Sequence, residues 1–159
     1  MSTSEMDLEL KLRMMRYLWT IGYFVRRNIR VPRQNFISHD QATDIDVFGL
    51  KIDDELGYKI TICDCKSGAG IGTASRLFWL SGLMDYYYAS LSYFVRTKMS
   101  GFEYMTLADR LGIFPLSADE LTRLENAYGV DKNRFFGPFC KEQAKVDDAL
   151  AELRKDLHE

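Results

Sequence analysis

Two apolar stretches of the chain carry aspartates where the inside of a sheet would take valine or isoleucine. They are Thr43-Asp44-Ile45-Asp46-Val47-Phe48-Gly49-Leu50 and Tyr58-Lys59-Ile60-Thr61-Ile62-Cys63-Asp64-Cys65-Lys66. Their β-branched and aromatic content predicts two strands. Asp53-Asp54-Glu55-Leu56-Gly57 lies between them as a turn sequence, which would make the strands antiparallel neighbours. Side chains alternate along a strand, so Asp64 and Lys66 are expected on one face, with Cys63 and Cys65 on the other. Asp44 and Asp46 are likewise expected to share a face. Apolar residues at both parities point to strands buried on both sides. A carboxylate in such a place is costly unless it is paired with a cation or holds a metal.

The rest of the chain supplies a frame for this pair. Ser4 with Asp7 fits a capping box opening a helix over about residues 5–21, which Gly22 ends. Tyr23 to Val31 reads as a strand stopped by Pro32. The run Ser67-Gly68-Ala69-Gly70-Ile71-Gly72 leads into an aromatic helix over 73–91, most of whose rings are expected in the core with one or two tyrosines exposed. A strand at 92–97, a helix at 102–111 and a short strand at 112–116 follow. Ser117 with Glu120 opens a further helix to about residue 128. Val146, Leu150, Leu153 and Leu157 then form one apolar stripe on a charged helix, suited either to the domain's own core or to a dimer contact. The order predicts an α/β domain built round one sheet, residues 1–129, with a helical extension at 130–159 that can also lead into a further domain.

Composition excludes whole classes. With 159 residues, 47% hydrophobic, 28% charged and three prolines, the chain is a globular domain with one sizeable core, not a collagen, a disordered tail or a disulfide-stapled miniprotein. No stretch has the roughly 18 apolar residues of a membrane span, and the first residues lack the pattern of a signal peptide. Three cysteines, two of them at 63 and 65, suggest a reducing, cytoplasmic setting. The net charge of −2 conceals opposed patches. Residues 11–39 carry Lys11, Arg13, Arg16, Arg26, Arg27, Arg30 and Arg33 and no acid, a segment suited to phosphates. Residues 40–64 carry most of their charge as Asp and Glu, a segment suited to a cation.

Carboxylates grouped at a strand end suit Mg²⁺ or Mn²⁺, hard ions that take oxygen ligands, and Lys66 beside them would remain charged. The plain structural alternative is a buried Asp–Lys ion pair across the sheet. Glu9-Leu10-Lys11 has the same acid-x-Lys spacing, but on a helix residues two apart diverge. Cys63 and Cys65 lack partners at zinc-finger spacing and read as core residues. The glycines at 68, 70 and 72 lack the Lys-Ser/Thr of a phosphate loop and read as a hinge, and His39 as a solvated loop residue.

Taken together, these residues resemble the PD-(D/E)XK nuclease superfamily, the restriction-endonuclease-like fold, and within it the Mrr-like and Holliday-junction-resolvase-like branches. The resemblance rests on Gly22-Tyr23, on Asp46-Val47, on Asp64-Cys65-Lys66-Ser67-Gly68, on Leu91-Ser92-Tyr93-Phe94-Val95 and on Gly112-Ile113-Phe114-Pro115-Leu116, and it covers roughly residues 5–125. It implies an αβββαβ core with a mixed central sheet flanked by helices, followed by C-terminal helices. It implies a Mg²⁺ or Mn²⁺ ion held by Asp46, Asp64 and the backbone carbonyl of Cys65, with Lys66 close to the attacking water. Glu9 is the candidate for the acid that the family often adds from its first helix, and Asp44 is an alternative to Asp46. No proline precedes either aspartate, and Asp64 stands where Glu is commoner. The activity so implied is metal-dependent endonucleolytic hydrolysis of DNA, rather than RNA, in restriction, defence or repair. Arg26, Arg27, Arg30, Arg33 and Ser67 are the candidates for DNA contacts, and a second copy of the chain is a candidate partner. The alternative is a catalytically silent nucleic-acid-binding or assembly module that keeps the fold.

Overall fold

The computed structural model describes residues 2–32, 41–68, 72–99 and 101–156; Arg33, His39, Gly70 and Leu157 lie outside them. Helix α1 (Thr3–Thr20) is followed by strands β1 (Phe24–Pro32), β2 (Gln41–Ile52) and β3 (Tyr58–Lys66). Helix α2 (Thr73–Tyr87), strand β4 (Leu91–Arg96), helix α3 (Phe102–Arg110), strand β5 (Ile113–Ser117) and helix α4 (Ala118–Ala127) come next. Two 3-10 turns, Lys132–Arg134 and Gly137–Phe139, lead to helix α5 (Lys141–Asp156). The strands lie in the order β1-β2-β3-β4-β5. The first three pair antiparallel and the last three parallel, so the sheet is mixed. The expected αβββαβ arrangement is the one observed, with α3, β5, α4 and α5 added.

Local sequence explains the ends of these elements. The capping box of α1 is Ser2 with Glu5, not Ser4 with Asp7. The two pairs are equivalent in sequence, but the Asp7 carboxylate is drawn to Ser67 N, 2.5 Å away, and is not available as a cap. The helix ends at Gly22, whose φ of 92° is costly for any residue with a Cβ. Gly22 N bonds Trp19 O and Tyr23 N bonds Leu18 O, both at 3.0 Å, the paired bonds of a Schellman motif. The β2–β3 turn is built on Asp53, whose Oδ1 accepts from Gly57 N at 2.7 Å and Glu55 N at 3.2 Å. A Cβ on Gly57 would come within 2.8 Å of that carboxylate, so a larger residue would push aside the side chain that organises the turn.

Both faces of the sheet are covered. On one, Leu10, Leu12, Met14, Met15 and Leu18 of α1 pack with Leu121 of α4 and Ala144 of α5 against Val47, Cys63, Cys65, Tyr93 and Val95. On the other, Leu77, Leu80 and Leu83 of α2 and Ala108 of α3 pack against Ile45, Ile62, Phe94 and Ile113. The leucines form the inner stripe of α2, and the aromatic Phe78, Tyr86 and Tyr88 are exposed, more of its rings than the sequence suggests. Val146, Leu150 and Leu153 also face outward, because α5 meets the domain through Ala144 and Asp148 on its other side. Cys63, Cys65 and Cys140 are free thiols, and burial pushes the first two up from the ordinary thiol range. Among the described residues, no helix is long and apolar enough to cross a membrane.

One expectation about β2 is corrected. Asp44 is exposed and Asp46 is buried, so the two do not share an environment. Ile45 belongs to the α2-side core and Val47 to the α1-side core although they are two residues apart. Alternation is broken at Asp46. The β2–β3 ladder runs from Ile52↔Tyr58 to Val47↔Cys63. On the β1 side, the pairs Arg27↔Val47 and Ile29↔Ile45 bracket Asn28, which has a φ of 52°. The strand turns over opposite a residue in the left-handed region, and this leaves the Asp46 side chain in the gap between β2 and β3.

Candidate functional site

The gap between β2 and β3 is closed by side chains instead of main chain. Asp46 is 2% exposed, and its Oδ2 accepts a hydrogen bond from Cys65 N at 2.8 Å, taking the place of a ladder partner. Its Oδ1 lies 2.7 Å from Lys11 Nζ. Lys11 reaches it from α1 and also donates to Asn28 Oδ1 at 2.8 Å, so the turned-over residue of β1 helps to aim the ammonium. Lys66 Nζ stands 3.9 Å from Asp46 Oδ2 with its side chain 37% exposed, and it is the cation of this group that reaches solvent.

Asp64 is 0% exposed and faces α2. The Arg76 guanidinium binds it in a fork, Nη2 to Oδ1 and Nε to Oδ2, the latter at 3.2 Å. Burial pushes the Asp64 carboxyl up from its ordinary range, and the hydrogen-bonded Arg76 pulls against that shift. Arg76 is steadied by the Trp79 ring, 4.3 Å from its guanidinium carbon. A second guanidinium, Arg96, lies 4.4 Å over the Phe94 ring. Burial lowers the Arg96 pKa, the Asp64 charge opposes that, and its buried Nε has no hydrogen-bond partner among the described residues. Asp7 completes the rim of the site from α1 by accepting from Ser67 N.

Asp46 and Lys66 therefore face each other at the end of β3, where the sheet splits, and Asp64, on the same strand as Lys66 and turned toward α2, is near enough to feel the Asp46 charge. The other candidates are distributed differently. Glu9 lies 3.5 Å from Arg16, and the α1 acid that reaches the end of β3 is Asp7. Ser67 is tied back to α1, its hydroxyl donating to Thr3 O at 3.1 Å. Arg27 is engaged by α5, at 2.5 Å from Asp148 and 2.6 Å from Ala144 O, which withdraws it from any external phosphate. Arg26 and Arg30 are exposed on β1. Lys11, Arg76, Arg96 and Asp7 were not anticipated as members. The spacing of Asp7 and Lys11, one turn apart on α1, is the one signal that marks them.

Among the described residues, no three His, Cys, Asp or Glu side chains gather into a ready metal cage. The donor chemistry nevertheless suits one class of ion. Mg²⁺ characteristically binds through one or two carboxylates and keeps its remaining positions for water and substrate phosphate. Asp46, Asp64 and the Cys65 carbonyl are oxygen donors of that kind.

No protein-family model and no curated protein matches the sequence. Several solved structures share its fold. Can2 from Sulfobacillus thermosulfidooxidans, in complex with cyclic tetra-adenylate, superposes with a TM-score of 0.54 at 13% identity over 75% of this chain and 33% of its own. VC1899 from Vibrio cholerae gives a TM-score of 0.57 at 20% identity over 76% of this chain and 31% of its own. AF1548, a protein of unknown function, gives 0.52 at 14% identity over 75% and 67%. The chain spans about a third of the length of Can2 and of VC1899. At these identities the likeness is one of fold.

Proposed function

We propose that this chain is a metal-dependent phosphodiester hydrolase of the PD-(D/E)XK kind, acting on DNA. The observation that carries the reading is the burial of two carboxylates, Asp46 and Asp64, beside the half-exposed Lys66 at the split in the sheet. Burying two carboxylates is expensive, and a purely structural sheet gains little from them. Asp46, Asp64 and the Cys65 carbonyl are the groups that would hold Mg²⁺ or Mn²⁺. Such an ion polarises a phosphodiester and lowers the pKa of its bound water. Lys66 presents a fixed positive charge at the open side of the site, where it can steady an attacking hydroxide and the charge growing on phosphorus. Cys65 N holds Asp46 in position through its 2.8 Å hydrogen bond, and Lys11, 2.7 Å away, offsets the cost of burying that carboxylate. The exposed Arg26 and Arg30 supply positive charge for the DNA backbone.

A Mg²⁺-dependent assay on supercoiled plasmid, single-stranded and branched DNA tests the reading. Cleavage by the wild-type chain that is lost in Asp64→Ala and in Lys66→Ala supports it. Failure to cut any of these substrates, or undiminished cutting by both variants, sinks it.

A second reading has its own support, the forked bond from Arg76 to Asp64. In a domain that binds nucleic acid without cutting it, that ion pair would stand permanently in the place of a metal.

A further inference from the structure

Both oxygens of Asp64 are engaged by one guanidinium, and they are the same oxygens a divalent ion requires. The two cations compete for that carboxylate. A ligating oxygen lies about 2.0–2.1 Å from Mg²⁺, and a guanidinium hydrogen-bonded to the same oxygens would be driven against that charge. We infer that Arg76 is a displaceable counter-ion: Asp64 exchanges it for the divalent ion, and the released guanidinium grips a phosphate of the substrate. This rests on the metal-dependent reading and adds to it a further substrate-contacting residue, Arg76, and an order of events.

Four features fit exchange better than a permanent pair. Asp64 is fully buried while the Arg76 side chain is 36% exposed, so the arginine can leave toward solvent and the carboxylate cannot. Arg76 lies in the first turns of α2, and the Trp79 ring under its guanidinium belongs to the same helix, so this support does not depend on Asp64. Arg96 contributes a second positive charge to Asp64 and has a buried Nε with no hydrogen-bond partner among the described residues, so the carboxylate is not left without compensation while Arg76 is away. The planar fork that fits a carboxylate also fits the two free oxygens of a phosphodiester. Lysine would not offer that match.

The test measures Mn²⁺ binding by electron paramagnetic resonance on the intact chain, in the wild type and in Arg76→Ala and Arg76→Gln. The glutamine variant keeps an N–H donor for Asp64 and guards against loss of folding in the alanine variant. Exchange predicts Mn²⁺ binding about tenfold tighter or more in both variants. It also predicts that a short DNA duplex tightens Mn²⁺ binding by the wild type, because the phosphate and Asp64 compete for one guanidinium. That gain should vanish in the variants. Mn²⁺ affinities of wild type and variants within about twofold of one another, unchanged by duplex, would overturn the exchange and leave the hydrolase reading standing. No Mn²⁺ binding by wild type or by either variant would overturn both.

Discussion

Lys11 places its ammonium 2.7 Å from Asp46 Oδ1, joining the first helix to the strand gap that forms the site. Both side chains are largely buried, so each is the main compensation for the other's charge. The second hydrogen bond of Lys11, to Asn28, continues to α5 because Asn28 Nδ2 donates to Asp148 at 3.1 Å.

Lys11→Met should destabilise the fold by about 3–5 kcal/mol, the cost of leaving a buried carboxylate unpaired. Urea denaturation measures it. The double variant Lys11→Met with Asp46→Leu should recover much of that loss, and strict additivity of the two single changes would show the pair to be uncoupled.

Lys66→Ala should behave in the opposite way. Its side chain is 37% exposed and stands 3.9 Å from Asp46, a weak tie, so stability should change by less than about 1 kcal/mol. Cleavage should nonetheless fall by about 10²–10³, the usual loss when a charge-stabilising group is removed from a reacting centre. Thermal melting and rate measurements on one preparation separate the two effects.

Acid sensitivity should arise in part at the α1 cap. The Ser2 backbone N–H, with help from Lys145 and Lys141, holds Glu5 down to about 2 from an ordinary 4.5. A carboxyl depressed in the folded state adds stability above its unfolded pKa and loses it as pH falls through the folded value. The contribution of Glu5 is therefore complete above about pH 4.5 and declines toward pH 2. Asp64 has the opposite sign: its folded pKa is raised, so its protonation favours the native state as pH falls. Melting curves between pH 5 and pH 3 should show a shallower decline for Glu5→Gln and a steeper one for Asp64→Asn.

Asp148→Ala should loosen α5 without disturbing the sheet. It removes the carboxylate that engages Arg27 and Asn28 and leaves Arg27 with Ala144 O and the more distant Asp147, 4.0 Å away. A loss of about 1–3 kcal/mol is expected, with faster hydrogen exchange confined to α5 and β1. Uniform exchange throughout the domain would contradict this assignment.

Leu150→Lys on the outward stripe of α5 should alter stability by no more than about 0.5 kcal/mol, whereas Leu80→Ala in the α2-side core should cost about 2–5 kcal/mol. Denaturation midpoints of the two variants check the orientation of both helices.

The strands were legible because their periodicity is local. Tyr58–Lys66 is β3 as read, since a run apolar at both parities has to be covered on both faces. The cap of α1 lies two residues before the one the sequence suggests, because Ser2/Glu5 and Ser4/Asp7 are alike until Ser67 N binds Asp7. The aromatic residues lie all round α2, which suggests that most are core, but Leu77, Leu80 and Leu83 at helical spacing hold the inner face. The bend at Asp46 has no local sign, because it depends on the left-handed Asn28 of β1 and on Cys65 N donating to a side-chain carboxylate.

By itself, the sequence determined an α/β domain with buried acids on two adjacent strands and a lysine following the second. These follow from side-chain periodicity and from the turn between the strands, both short-range properties. Only the tertiary structure decided which cation meets which acid. Lys11 comes to Asp46 from α1 and Arg76 to Asp64 from α2, and Arg27, which the sequence groups with the exposed Arg26 and Arg30, is held by α5. Charge pairing acts over a few ångströms through space, and neighbours at that range are set by how helices pack on the sheet, not by their order in the chain.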